Sequence, residues 1–134
     1  SMSNVELFGS QGSRSPLINW YLYEINCDFK MAGQSSVNPH PFGQIPCLRD
    51  GSVVMFESGA ILMYLADKYG GLDSPEKRAA VSAWVVFDNA SLDPVLFKEN
   101  ERGQVIGTGA AAENKKLNIL NDFLFKSGDN YILG

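Results

Sequence analysis

Gln44-Ile45-Pro46 and Glu57-Ser58 hold the chemistry most open to use in this chain. A proline has no N–H and cannot complete a sheet ladder, so Pro46 suits an edge or the start of a strand. With a cis peptide bond at Pro46, the main chain of Ile45 would turn outward. Its N–H and C=O would then be free to pair with an extended ligand by strand addition. A helix opening at Glu57-Ser58 offers unpaired N–H groups and a positive dipole end, where a carboxylate binds well. The acid of Glu57 could meanwhile hold an ammonium group. One end for a carboxylate and an amine, with a backbone pair in the middle, describes a γ-glutamyl peptide. The plainer alternative is a hairpin followed by a capped helix with no ligand.

These groups need a frame. Arg49-Asp50-Gly51-Ser52 lies between apolar runs, and Asp-Gly tolerates the positive φ of tight hairpin turns. Ser58 is a good cap for a helix over 59–69, closed by Gly70-Gly71. Upstream, Val5-Glu6-Leu7-Phe8 reads as a strand, and Ser15-Pro16 opens a helix with a broad apolar face. Residues 28–31 read as a second strand, and strand-helix-strand order favours a parallel pair. Ser74-Pro75-Glu76 starts a further helix. Its continuation through 79–97 is nearly apolar on all sides, which predicts burial on several faces. Three glycines within 99–109 predict a mobile loop, and 110–125 resumes a helical pattern through Leu117, Leu120 and Leu124.

Composition narrows the function classes. An apolar content of 45% supports a true core in a chain of 134 residues. The 15 acidic residues against 11 basic ones argue against a nucleic-acid surface. No apolar run reaches membrane-spanning length and no secretory leader is read at the start, so a cytoplasmic setting without a membrane is expected. Cys27 and Cys47 form no CxxC pair and are expected as reduced core residues. His40 is the sole histidine, which excludes a histidine-cluster metal site.

The stretch NPHPFGQIPCLRDGSVVMFESGAILMYLADKY closely resembles the glutathione-binding half of glutathione S-transferases, especially the phi-type and bacterial serine-type branches. The combination of QIP, the DG turn and FES at this spacing is specific, and the resemblance fades beyond Phe97. It implies an α/β thioredoxin-like N-terminal domain over 4–72, followed by a partial all-α C-terminal domain over 73–134. It also implies a detoxifying transferase that takes glutathione as co-substrate and joins its thiolate to a hydrophobic electrophile. By the same matching, Gln44, Ile45, Pro46, Glu57 and Ser58 hold the peptide part.

The thiol of glutathione needs a hydroxyl donor, and the loop Gly9-Ser10-Gln11-Gly12-Ser13-Arg14 is where one belongs. Ser13 falls at the phi-type catalytic serine, with Ser15 second; Ser15 as a helix cap and Ser10 as a turn residue are the plainer readings. Arg14 would add positive charge beside the sulfur, or would be a solvated loop charge. No cysteine or tyrosine lies in this loop, which speaks against the cysteine-type branches. The family carries a longer segment before Pro39, with a Lys or His for the glycine carboxylate. Here that segment is short and uncharged, leaving Lys30 and His40 as substitutes.

Family members continue past Tyr131-Ile132-Leu133-Gly134 into further helices, so most of the second domain is expected to be missing. A homodimer through the helices from Ser58 and Ser74 is expected to cover the exposed apolar faces. The hydrophobic pocket is expected between the domains, near Trp84, Phe87 and Phe97. The alternative function is a non-catalytic binding or assembly module of the same fold. The enzymatic reading further requires that the cleft beside Pro46 not be filled by the protein's own side chains.

Overall fold

The structure is a computed structural model and describes residues 3–109 and 114–133. Four strands build one sheet: β1 (Val5–Phe8), β2 (Phe29–Met31), β3 (Cys47–Asp50) and β4 (Val53–Phe56), in the order β2-β1-β3-β4. β1 runs parallel to β2 and antiparallel to β3, and β3 turns back into β4. The β3–β4 turn needs a left-handed residue, and Gly51 supplies it at φ 59°.

Two helices, α1 (Ser15–Glu24) and α2 (Ser58–Lys68), close the core against the sheet. Val5, Leu7 and Leu48 meet Ile18, Leu22, Ile61 and Leu65 there, all shut off from solvent. Alternation puts Glu6 on the opposite face, where it stands in register between Lys30 and Arg49. Cys27 and Cys47 are free thiols and buried, as their spacing predicts. The order of elements is that of the thioredoxin-like domain the sequence implies.

Asp50, last in β3, is buried with its Oδ2 accepting three bonds: Tyr64 Oη at 2.7 Å, Tyr69 Oη at 2.8 Å and Lys68 Nζ at 2.8 Å. One carboxylate thus fastens the end of α2 to the sheet.

The helical part departs from expectation in two places. The run over 79–97 is not one buried helix. α3 (Pro75–Phe87) widens into a π-type stretch at Asp88–Leu92, then ends in a short α4 (Asp93–Leu96). No residue of α3 is fully buried, and Val86 is well exposed. Residues 97–108 form a hairpin of β5 (Phe97–Glu99) and β6 (Val105–Thr108) rather than a loop. The last helix, α5 (Lys115–Ser127), begins with Asn114 capping the Lys116 and Leu117 amides. The first residues of the helix expected from 110 lie outside those described.

Trp84 and Phe87 open into a groove of about 420 Å³ between α3 and α5, walled by Ile119, Leu120 and Phe123. That groove lies between helices of the later part of the chain, and Phe97 on β5 does not line it.

Candidate functional site

The serine loop leads from β1 into α1 and closes on itself. The Ser13 hydroxyl donates to the Ser10 carbonyl at 2.8 Å, and the Ser15 amide donates to Ser13 Oγ at 3.1 Å. The Ser10 amide donates to Ser15 Oγ at 3.1 Å, and the two hydroxyl oxygens lie 2.6 Å apart. With the Ser13 proton given to Ser10, the Ser15 hydroxyl is the donor in that last contact. Ser15 is 1% exposed and holds the loop, while Ser13 is 8% exposed and sits just before the helix start. Ser15 is not the helix cap: Arg14 occupies that position and makes no side-chain cap bond. Gly9 is required beneath this knot, since a Cβ there would overlap the Ser15 side chain.

The second half lies across β3 and α2. The Ile45–Pro46 bond is cis, and Pro46 leads directly into β3. Glu57 caps α2 at a left-handed φ of 70°, a costly backbone for a residue with a side chain. Ser58 is therefore the first helical residue and not the cap that its type suggests. Its hydroxyl accepts from Asn89 Nδ2 at 3.3 Å, and the Gly59 amide donates to Asn89 Oδ1 at 2.8 Å. His40 is buried against Phe56, ring centroids 4.9 Å apart, and its Nδ1 accepts from the Phe42 amide at 3.0 Å.

Arg14, His40, Gln44, Ile45, Pro46, Glu57 and Ser58 all border one hollow. Lys30 does not. It stands on β2, which β1 separates from β3, and faces its register partner Glu6 at 3.9 Å. Arg14 is no solvated loop charge either. Its guanidinium pairs with the buried Asp93 at 2.5 Å and with Glu99 at 2.7 Å. Burial pushes the Asp93 carboxyl up to about 6, the nearby Asp88 carboxylate adds to this, and Arg14 opposes it.

Four residues here escaped the sequence reading: Asn89, Asp93, Glu99 and Arg102. The expected free edge at Ile45 is also occupied. The Ile45 amide donates to the Arg102 carbonyl at 3.1 Å, and the Gln44 side-chain amide to the Glu101 carbonyl at 3.2 Å. What is left of the hollow is about 70 Å³, far below the roughly 300–1,000 Å³ of ordinary ligand clefts.

Comparison with known proteins agrees with the frame. Residues 3–67 match the family described as "Glutathione S-transferase, N-terminal domain". A glutathione S-transferase of Hyoscyamus muticus is 31% identical over 84% of this chain and 68% of its own length. Glutathione S-transferase F14 of Arabidopsis thaliana is 35% identical over 71% of this chain and 44% of its own. Among solved structures, a theta class glutathione S-transferase from Xanthomonas axonopodis pv. citri, with glutathione bound, superposes at a TM-score of 0.55. It is 26% identical, and the match covers 71% of this chain and 53% of that one. The chain thus spans from under half to about two thirds of these relatives' lengths.

Proposed function

Because the chain belongs to the glutathione S-transferase family, we propose that it binds glutathione and conjugates the thiolate to hydrophobic electrophiles. One observation carries this reading: the cis Ile45–Pro46 bond and the Glu57-Ser58 helix start share a single hollow with Arg14. The γ-glutamyl carboxylate takes the amide and hydroxyl of Ser58, and Glu57 takes the ammonium group. The middle residue pairs its main chain with Ile45, beside Gln44 and Pro46, and His40 and Arg14 line the remaining walls. Lys30 has no part.

A free thiol titrates near about 8.5, so its reactive anion is a minority at neutral pH. Ser13, placed before the positive end of α1, turns its hydroxyl from the Ser10 carbonyl to the sulfur. The thiol proton leaves to water. A depression of ~2 pH units corresponds to about 2.7 kcal/mol of preference for the anion. The sulfur then attacks an electrophilic carbon, and the S–C bond forms as the leaving group departs with its electron pair. Ser15, buried and occupied with the loop, supports Ser13 and does not replace it.

Residues 4–72 act as the glutathione-binding unit and 73–134 as a partial helical unit. A cytoplasmic detoxifying role goes with this reading; among the described residues no helix is long and apolar enough to cross a membrane. Ala60, Met63, Val85 and Val86 line an open apolar hollow along α2 and α3, which supports a homodimer about a two-fold axis there. Sedimentation at micromolar concentration should give the dimer mass, and a monomer would overturn that assembly.

Retention on immobilised glutathione, with turnover of chlorodinitrobenzene, is the expected result for the activity; neither occurring would refute it. Glu57→Gly separates fold from binding. Relief of the left-handed strain should raise stability by about 1 kcal/mol. Loss of the ammonium partner should weaken glutathione about tenfold. Thermal unfolding and calorimetric titration read the two effects separately.

A further inference from the structure

The tip of the β5–β6 hairpin lies where the proposed ligand would lie. We propose that Glu101-Arg102-Gly103 is a built-in competitor for the glutathione site, which glutathione must displace in order to bind. This rests on the glutathione reading above.

The fit is specific at four points. The Arg102 carbonyl takes the Ile45 amide at 3.1 Å, which is the backbone pair an extended ligand would use. Gly103 is buried at φ 81°, so close over the Ile45 carbonyl that a Cβ would collide with it. The Glu101 carbonyl takes the Gln44 side chain at 3.2 Å. The Val105 amide takes the Gly12 carbonyl in the serine loop at 2.5 Å. The hairpin therefore holds both halves of the site together, the serine loop and the Ile45 edge.

The hairpin also answers the charge of the site. Glu99 adds a carboxylate against Arg14 at 2.7 Å, so the charge that would meet an anionic peptide is already matched. The match is imperfect. Arg14 Nε is buried without an aligned hydrogen-bond acceptor, and an incoming carboxylate could supply one.

The tip is also able to move as a unit. Asn100 Oδ1 accepts from the Arg102 and Gln104 amides, each at 3.0 Å, and the Gly103 amide returns to the Asn100 carbonyl at 3.0 Å. These bonds lie inside the hairpin and survive its displacement.

The test uses the whole chain and S-hexylglutathione, whose blocked sulfur leaves the cysteines untouched. A ligand that binds only the open form is weakened by the open fraction, so an open fraction near one tenth costs about tenfold in affinity. Gly103→Val, which cannot pass under Ile45, should bind roughly tenfold tighter than the wild type. Glu99→Gln, which leaves the backbone alone, should gain a few-fold and serves if the first variant fails to fold. Hydrogen exchange adds an independent reading. Saturating ligand should expose the Val105 amide while the Ile45 amide stays protected. Equal affinities in wild type and both variants, with Val105 protected throughout, would overturn the competitor and leave the glutathione reading intact. No binding by a variant whose Val105 amide already exchanges freely would overturn the glutathione reading, and the competitor with it.

Discussion

Ser13→Ala is expected to lower the rate of chlorodinitrobenzene conjugation by about a hundredfold, the usual loss when one donor to a developing or bound anion is removed. Glutathione affinity should change little, because the peptide part of the ligand is held at residues 44–46 and 57–58. The pH profile is the sharper reading. If the Ser13 hydroxyl lowers the thiol pKa, the variant should recover much of its rate as pH approaches about 8.5, where the thiol ionises unaided. Ser15→Ala should behave differently. Ser15 is 1% exposed and its oxygen accepts the Ser10 amide at 3.1 Å, so its loss should appear first as a lower melting temperature. Unchanged turnover in Ser13→Ala would move the role to Ser15 or Ser10.

Asp50→Asn should be among the most destabilising single changes in the chain, at about 3 kcal/mol. Its carboxylate takes three donors from the end of α2, and it is almost fully buried. An amide oxygen in its place could still face the three donors, but without the charge that makes bonds from Lys68, Tyr64 and Tyr69 strong. A loss of that size should lower the melting temperature by roughly 10 °C. The linkage to pH has a definite sign. Burial alone would raise the Asp50 pKa, but the bonds from Lys68, Tyr64 and Tyr69 outweigh it and hold it below the usual carboxylate range. The group therefore contributes its stability above about pH 4, the unfolded value, and loses it as pH falls through the lower folded value. Wild-type protein should weaken across that acid window and Asp50→Asn should not. Lys68 is half exposed, so salt should screen its share of the effect while the tyrosine bonds persist.

Local chemistry made the first unit readable. The Asp-Gly turn, the proline ahead of β3 and the helix from Ser58 each rest on neighbours within a few positions, and each was found where spacing put it. Ser58 itself shows the limit. A serine at a helix start is ordinarily the cap, yet here a strained Glu57 takes that place and Ser58 faces Asn89. The helical part was less readable because distant polar groups shape it. Asn89 reaches the Gly59 amide, and Asp93 reaches Arg14 across a separation of 79 residues. Those ties accompany a π-type stretch where apolar composition predicts one straight buried helix. The hairpin did leave a trace: Val105-Ile106-Gly107-Thr108 is rich in β-branched residues, with Gly103 just before it. The three glycines drew the reading to a loop instead. Lys30 failed for a simpler reason, since the order of strands in the sheet and not distance along the chain decides what a residue faces.

Cys47 stands immediately after Pro46, two residues from the Ile45 edge where the foreign peptide is meant to pair. Burial pushes its thiol upward, against smaller pulls from the Leu48 backbone and the Arg49 charge. At neutral pH it is held as SH, a poor nucleophile shut away from oxidants. Cys47 is thereby kept out of reach of the electrophiles the protein is proposed to intercept, and is guarded against self-alkylation and mixed disulfides with the co-substrate.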